Sequence, residues 1–425
     1  MQIASIIRLS VFFASFILLI SCERAVIREA KKAMRPATPP GVVMDDLPLN
    51  SLAEGIDENI RRLKRLKVEN LTFGPRVVSK DDYILALDFL ARQIRSGVSK
   101  SEFFKAVVDN FDFYEVYGKK DWGEVFITSY FHPVIPGSRT KTPLYSQPLY
   151  SVPSDLVRVE LGEFVKEGIG PFSSNKEGIF KESSEVLWGR LVYPGEGMVP
   201  AVLPYYTRKE IDSGGALEGR NLELAWVDPI DAFFMHIQGS GTVRFGDGGE
   251  IRLGYAARNG YPFVAISRYL VDVIPGEKMS MQAIENYLRG LPEEKLREIL
   301  NKNPSYIFFK RLDGEPLTSL GTRAIEGRTI ATDPAFFPKG ALAYMEFLKP
   351  VFANGSASEP VRWERVSRFV LDQDTGSAIR GPYRVDLYWG KGKDAARYAG
   401  VIKGWGHLYY LVPKDSLLQR LRTGG

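Results

Sequence analysis

Three aspartates in the last quarter of the chain have the residue type and the setting for acid–base chemistry. Asp333 lies in Ala-Thr-Asp-Pro, Asp374 in Gln-Asp-Thr-Gly and Asp386 in Arg-Val-Asp-Leu-Tyr-Trp-Gly. Asp386 alternates with the apolar Val385 and Leu387, which predicts a strand with the carboxyl group on one face. Burial, or a neighbouring carboxylate such as Asp374, would raise the pKa of that group, as a general acid near neutral pH requires. The same side chains could instead cap turns, and their spacing leaves both interpretations open.

Other kinds of site are not supported by the spacing of their characteristic residues. The three histidines, His132, His236 and His407, are not paired at the spacing of zinc ligands. The segment 372–383 lacks the glycine and the bidentate glutamate of a calcium loop. Gly239–Gly241 is followed by a predicted hairpin, not by the helix of a dinucleotide site. We therefore expect neither a metal nor a cofactor.

The elements that would position the aspartates are mostly predicted strands. Apolar spacing predicts helices over residues 52–66, from Ser79 to about Gly97, and through 103–108. Short β-rich runs follow at 125–130, 145–152, 187–192, 222–227 and 232–237, with a hairpin at 242–245 and 250–253. Helices return at 280–288 and 293–300, before a final β-rich block over 306–411. Strands without alternating helices favour barrels or sandwiches over a doubly wound parallel sheet.

Length and composition exclude several classes of protein. The chain has 425 residues, of which 44% are hydrophobic and 25% are charged, as in a globular protein of two or three domains. These values exclude a disordered chain, a coiled coil and a polytopic membrane protein. The formal net charge of +5 is small and spread along the chain, so we expect no nucleic-acid partner.

The N-terminus has the pattern of an export signal. An apolar run over residues 9–20 follows Arg8, and it is too short to span a bilayer. The sequence Leu-Ile-Ser-Cys that ends at Cys22 resembles a bacterial lipobox, in which the cysteine becomes the lipidated first residue. We therefore expect a signal peptide over 1–21 and a tether over 22–51, although a free thiol behind an ordinary signal peptide is the alternative. Glu23, by resemblance to sorted lipoproteins, favours the periplasmic face of the outer membrane.

Several motifs occur together, in one order, over about residues 120–413. In this arrangement the chain resembles the membrane-bound lytic murein transglycosylase A family, and its aspartate block resembles the 3D domain of that family. The motifs lie at 128–133, 189–190, 208–211, 234–241, 281–284, 303–309 and around the three aspartates.

The resemblance implies a mainly β fold with N-terminal helices. A double-psi β-barrel would comprise residues 52–135 and 312–413, with a second β-barrel, 136–311, inserted into it and a short tail over 414–425. The groove between the two barrels would hold a glycan strand of peptidoglycan.

The resemblance also implies an activity. The family cleaves the bond between N-acetylmuramic acid and N-acetylglucosamine without water, which leaves 1,6-anhydromuramic acid ends. Its catalytic aspartate matches Asp386, with Asp374 and Asp333 in supporting positions. An attacking hydroxyl within the sugar makes the second carboxylate of ordinary glycosidases dispensable. Peptidoglycan strands are the expected partner, and proteins of wall synthesis or division are left open.

The candidate sugar contacts are Thr128, Tyr130, Gln238, Ser240 and Gly376, which could equally serve strand packing and turn formation. The chain departs from the family pattern at two serines, one at 129 and one at 377, where glycines are usual. Two alternatives stay open at this point: a non-catalytic glycan-binding module, and a hydrolase with Asp333 as its second carboxylate.

Overall fold

A computed structural model describes residues 27, 29–118, 122–166, 186–353, 359–376 and 378–423 of the chain. Its helices are α1 Leu49–Leu63, α2 Lys80–Arg95, α3 Lys100–Asn110, α4 Leu161–Lys166, α5 Arg208–Asp212, α6 Pro229–Gln238, α7 Met281–Arg289, α8 Glu293–Leu300, α9 Gly392–Ala399 and α10 Asp415–Arg422. Its strands are β1 Met34–Ala37, β2 Asn70–Phe73, β3 Arg76–Ser79, β4 Phe111–Val116, β5 Glu124–His132, β6 Val134–Ser138, β7 Gln147–Tyr150, β8 Leu156–Glu160, β9 Val186–Val192, β10 Ala201–Pro204, β11 Glu223–Val227, β12 Gly241–Phe245, β13 Glu250–Arg258, β14 Ile307–Leu312, β15 Thr329–Ala331, β16 Leu342–Val351, β17 Arg362–Asp374, β18 Arg384–Lys391 and β19 Lys403–Pro413.

The largest sheet closes on itself. Its strands are ordered β1-β4-β19-β16-β17-β15-β18-β5, and β5 pairs again with β19, so that the strands from β19 to β5 form a ring. Alternate apolar side chains point into this ring, among them Val125, Ile127, Val385 and Leu387, which are at most 1% exposed. The burial of such apolar side chains stabilises this first barrel.

A second group of β-strands lies between β5 and β15 in the chain. Its six-stranded sheet is ordered β14-β13-β12-β6-β11-β7, and a bridge from Ser151 to Phe309 joins its two ends. A three-stranded sheet, β10-β9-β8, accompanies it. The described residues are thus mainly β with two barrel-like sheets, the second inserted into the first, which confirms the predicted fold class. Since β6 belongs to the second sheet, that sheet begins at Val134, two residues before the predicted boundary.

The three N-terminal helices form where the apolar spacing predicted them, and they pack on the first barrel. The apolar stripe of α1 is buried at Leu52, Ile56 and Leu63. Ser79 caps α2 by accepting a hydrogen bond from the Asp82 backbone, and Ser99 forms a capping box with α3.

The run 232–237 was predicted as a strand, and this prediction is wrong. It lies within α6, whose first turn is fixed by the Asp228 side chain and by Pro229 at the first helical position. Gly239 ends the helix in the left-handed conformation at φ 77°. These end signals outweigh the β propensity of a short apolar run, which periodicity alone cannot assign.

The predicted tether is also corrected, because much of 22–51 is folded. Strand β1 pairs with β4, from Met34 opposite Val116 to Ala37 opposite Phe113. Asp45 forms an ion pair with Arg328 at 2.5 Å, and both side chains are fully buried. At the other end of the chain, the predicted tail contains α10, whose Arg422 pairs with Asp82 on α2.

The predicted signal peptide and Cys22 lie outside the described residues, as does the serine at 377. Among the residues that are described, no helix is both long enough and apolar enough to cross a bilayer.

Candidate active site

Asp386 lies in the middle of a sheet, on a strand with a neighbour on each side. Strand β18 runs parallel to β5, where Asp386 is opposite Thr128, and antiparallel to β15, where it is opposite Ala331. Val385 and Leu387 point into the barrel, so Asp386 projects from its outer face and is only partly exposed. The alternation in the sequence therefore predicted the orientation of this carboxyl group correctly.

The surroundings of Asp386 favour a protonated carboxyl group. Burial raises the pKa of Asp386 to about 6, and the charge of Asp374 adds to this effect. A hydrogen bond from Thr128 Oγ1 to Asp386 Oδ1, at 2.8 Å, and the charge of Arg384 act in the opposite direction. A carboxyl group with a pKa near 6 can both give and take a proton close to neutral pH.

Asp374 has a different environment at the end of β17. Its Oδ2 accepts a hydrogen bond from the Tyr130 hydroxyl at 2.8 Å, and its Oδ1 accepts from the backbone of Ser319 and of Thr375, each at 2.9 Å. Burial, together with this carboxylate, raises the pKa of Tyr130 well above its usual value, so the phenol remains a donor. Asp374 is therefore suited to act as an acceptor and a fixed negative charge.

Asp333 holds the loop that connects Asp374 to Asp386. Its Oδ2 accepts from the Gly381 backbone at 2.8 Å and its Oδ1 from the Ala335 backbone at 3.1 Å. Gly381 has a φ of +82°, a conformation that favours glycine, at the point where this contact is made. Both carboxylate oxygens are thus engaged by the backbone.

A cavity of about 520 Å³ opens beside the pair of Tyr130 and Asp374. Of the candidate residues, Tyr130, Asp374 and Ser240 line it, whereas Asp386 and Thr128 are not among the described residues in its wall. The other described residues of its wall are Ser51, Glu54, Phe131, His132, Glu315, Pro316, Leu317, Thr318, Arg323, Ala324, Ile325, Glu326, Tyr388, Gly390 and Lys391. A cavity of this size can accommodate one end of an extended ligand.

Two further candidates hold the end of β5. Gln238 Oε1 accepts a hydrogen bond from the Phe131 backbone at 3.1 Å. The Ser240 hydroxyl lies 3.4 Å from His132 Nδ1, and His132 Nε2 lies 2.9 Å from Thr242 Oγ1. Burial lowers the pKa of His132 to about 4, so the ring is neutral near pH 7. These contacts fix the strand on which Thr128 and Tyr130 stand.

The remaining candidate, Gly376, and the serine at 129 have less direct relations to the site. Gly376 lies in the loop after β17 and packs near Ile379. The hydroxyl of Ser129 donates to the Ala399 carbonyl at 3.3 Å, on the side of β5 opposite to Thr128. The serine at 129, where the resemblance implies a glycine, therefore directs its hydroxyl away from the face that carries Thr128.

The sequence-based interpretation missed several residues of the site. Arg384 Nη2 donates to Thr128 Oγ1 at 3.4 Å, and its position two residues before Asp386 was the available signal. Ser319 donates to Asp374 through its backbone amide, and such a contact cannot be recognised from the residue type. Glu326 and Lys391 reach the cavity from separate segments that only the fold brings together.

Comparison with known proteins finds two matching family models and several curated relatives. Residues 126–310 match the family model of the MltA specific insert domain, and residues 328–412 match that of the 3D domain. A Vibrio cholerae protein named membrane-bound lytic murein transglycosylase A is 34% identical over 53% of this chain, and this match spans 61% of that protein. The Escherichia coli K12 protein of the same name is 27% identical over 71% of this chain and 69% of its own length.

Solved structures show the same fold. A membrane-bound lytic murein transglycosylase from Agrobacterium tumefaciens matches 92% of this chain and 100% of its own, with 25% identity and a TM-score of 0.68. MltA from Neisseria gonorrhoeae matches 90% of this chain and 98% of its own, with 28% identity and a TM-score of 0.62. The chain belongs to the membrane-bound lytic murein transglycosylase A family and carries its 3D domain.

Proposed function

We propose that this protein is a peptidoglycan lytic transglycosylase. It cleaves the bond between N-acetylmuramic acid and N-acetylglucosamine without water and leaves 1,6-anhydromuramic acid ends. The names of the relatives support this class of reaction. The observation that carries the proposal is the placement of the Asp386 carboxyl group, which accepts from Thr128 on the same face as the Tyr130–Asp374 pair and whose pKa burial raises to about 6.

One carboxyl group performs both proton transfers in this reaction. Protonated Asp386 donates its proton to the leaving O4 oxygen as the C1–O4 bond breaks. The C6 hydroxyl of the same muramic acid attacks C1, and the Asp386 carboxylate accepts the proton that this hydroxyl loses. The O6–C1 bond closes the anhydro ring, and Asp386 is again protonated. The intramolecular attack supplies a high effective concentration of the nucleophile.

The neighbouring residues support that cycle. Thr128 fixes one oxygen of Asp386 and leaves the other for the substrate. The negative charge of Asp374 disfavours ionisation of Asp386 and stabilises positive charge at C1 in the transition state. The hydrolase alternative required a free carboxylate at Asp333, and the engagement of both its oxygens argues against that mechanism.

The deciding experiment analyses the products formed from purified peptidoglycan by mass spectrometry. We expect muropeptides lighter by one water than the products of hydrolysis, and we expect Asp386→Asn to abolish their release. Asp272→Asn, the same change at an exposed position outside the site, is the control. Products at the full hydrolytic mass would refute the anhydro-forming reaction, and binding without release would favour a glycan-binding module.

A further inference from the structure

The outer face of the first barrel continues beyond Asp386 along two neighbouring rows of side chains. Strands β18, β5 and β19 lie side by side, and their registers define these rows. The first row holds Asp386, Thr128 and Lys403, and the second holds Arg384, Phe126 and Trp405. Because side chains alternate along a strand, and paired residues share a face, all six project on the same side of the sheet.

Direct contacts make these rows one surface. The rings of Phe126 and Trp405 lie 5.2 Å apart at 64°, and the Arg384 guanidinium lies 5.1 Å above the Phe126 ring. Arg384 also contacts Thr128, which holds Asp386. The indole of Trp405 nevertheless remains 38% exposed, so one side of it is available to a ligand. The surface thus leads without interruption from the acid to an accessible aromatic ring.

Neither cation of this surface forms an ion pair among the described residues, although Arg384 contacts Thr128 and the Phe126 ring. In the ranges that the structure describes, no carboxylate lies within ion-pair distance of either Arg384 or Lys403, and Arg384 Nε is buried without a hydrogen-bond partner. The next carboxylate on this face of β5 is Glu124, one row further on and opposite His407. A buried guanidinium nitrogen without an acceptor is unfavourable, and an anionic ligand would relieve this cost.

We propose that Arg384, Lys403 and Trp405 form a subsite for a muramic acid unit that carries its stem peptide. This inference rests on the proposed function and specifies which form of the glycan strand is preferred. The sugar ring stacks on Trp405, and a carboxylate of the peptide binds Lys403 and Arg384. Muramic acid carries peptides with free carboxylates, whereas N-acetylglucosamine carries none, so the charge of the surface matches the decorated sugar.

The dimensions of the surface fit a glycan strand that continues past the bond being cleaved. Strand β19 lies two strand spacings from β18, which is about 10 Å. A sugar stacked on Trp405 therefore belongs to the same glycan strand as the sugar at Asp386 and is not itself the reacting unit. The cavity beside Tyr130 lies towards the opposite end of β5. It leaves room for the glycan strand on the other side of Asp386.

The test measures the affinity for two forms of one substrate. Soluble glycan strands that bear peptides are compared with the same strands after an amidase has removed the peptides. Dissociation constants are measured in the Asp386→Asn background, which binds without turnover. We expect the parent to prefer peptide-bearing strands and Lys403→Gln to reduce this preference about threefold, as for one solvent-exposed ion pair. Trp405→Ala should weaken both substrates about fivefold through lost stacking.

Lys295→Gln is the matched control, since Lys295 is an exposed lysine of α8 in the second barrel, and it should leave the preference unchanged. Thermal unfolding of each variant checks that the fold is retained. An unchanged preference in Lys403→Gln would overturn the inference, as would an equal loss of affinity for both substrates. Absence of anhydro products from the wild-type protein on either substrate would refute the proposed function instead, so the two failures are distinguishable.

Discussion

At the scale of single residues, the roles that we propose for two aspartates on one face of the barrel differ because their surroundings differ. Asp386 is largely buried beside one hydroxyl donor, which supports the role of proton carrier that we propose for its carboxyl group. Asp374 accepts three hydrogen bonds, which suits this carboxylate to the role of an acceptor. A pair of acids whose environments separate their roles is the usual way in which acid and base functions are divided near pH 7.

This division predicts the effect of Asp374→Asn on the pH dependence of the reaction. Removal of the negative charge makes ionised Asp386 easier to form, so the pKa of Asp386 falls. Since the reaction requires protonated Asp386, the alkaline limb of the kcat/KM profile should move to lower pH. The measurement is the rate of anhydro-product release between pH 4 and pH 9. Asp272→Asn should leave the limb in place, and a shift to higher pH in Asp374→Asn would contradict the assigned roles.

Which site residues were predictable depends on how each of them reaches the site. The orientation of Asp386 follows from alternation along a strand, a local property that a sequence displays. The contact of Thr128 with Asp386 depends on the register of two strands that are more than 250 positions apart, and the sequence, which made Thr128 a candidate sugar contact, did not predict it. Ser319 contributes a backbone amide, and such contacts carry no side-chain signature.

At the scale of elements, the segment before α1 is part of the first barrel. Asp45 reaches Arg328 in the interior and accepts a further hydrogen bond from the Phe369 backbone of β17. The Pro-rich composition of this segment predicted a tether, because proline and glycine favour extended linkers. Composition does not show a buried ion pair whose second member is almost 300 positions away. The helices α1 to α3, in contrast, were predictable because their caps and apolar stripes are local.

The buried ion pair predicts a stability change. Asp45→Ala leaves the Arg328 charge buried without its partner, which should lower the free energy of unfolding by about 3–5 kcal/mol. The measurement is chemical denaturation followed by tryptophan fluorescence. Asp109→Ala, which breaks the exposed pair with Lys105, should cost less than about 1 kcal/mol. Equal losses in the two variants would show that the N-terminal segment does not stabilise the barrel.

At the scale of the whole molecule, the folded N-terminal segment limits how far the barrels can lie from a membrane. The predicted lipid attachment at Cys22 and the first described turn at Ala30 are eight residues apart, which corresponds to at most about 28 Å of extended chain. A tether over the whole of 22–51 would have allowed more than three times this distance. We therefore expect a form that is lipidated at Cys22 to act on peptidoglycan close to its membrane.

The anchor itself is testable because the chain has a single cysteine. Cells that express the full chain should incorporate labelled palmitate into it, and the protein should be found in the outer-membrane fraction. Cys22→Ser removes the acceptor of the lipid, so we expect the label to disappear. A form that starts at Glu23 behind an ordinary signal peptide should be released into the periplasm and keep its activity on purified peptidoglycan, because it retains every residue that we propose for the site. Wild-type protein without label would contradict the anchor. The assay with isolated peptidoglycan contains no membrane, so the distance from a membrane cannot affect the rate. Loss of activity of the released form in this assay would therefore contradict the expectation that the lipid anchor is not needed for catalysis.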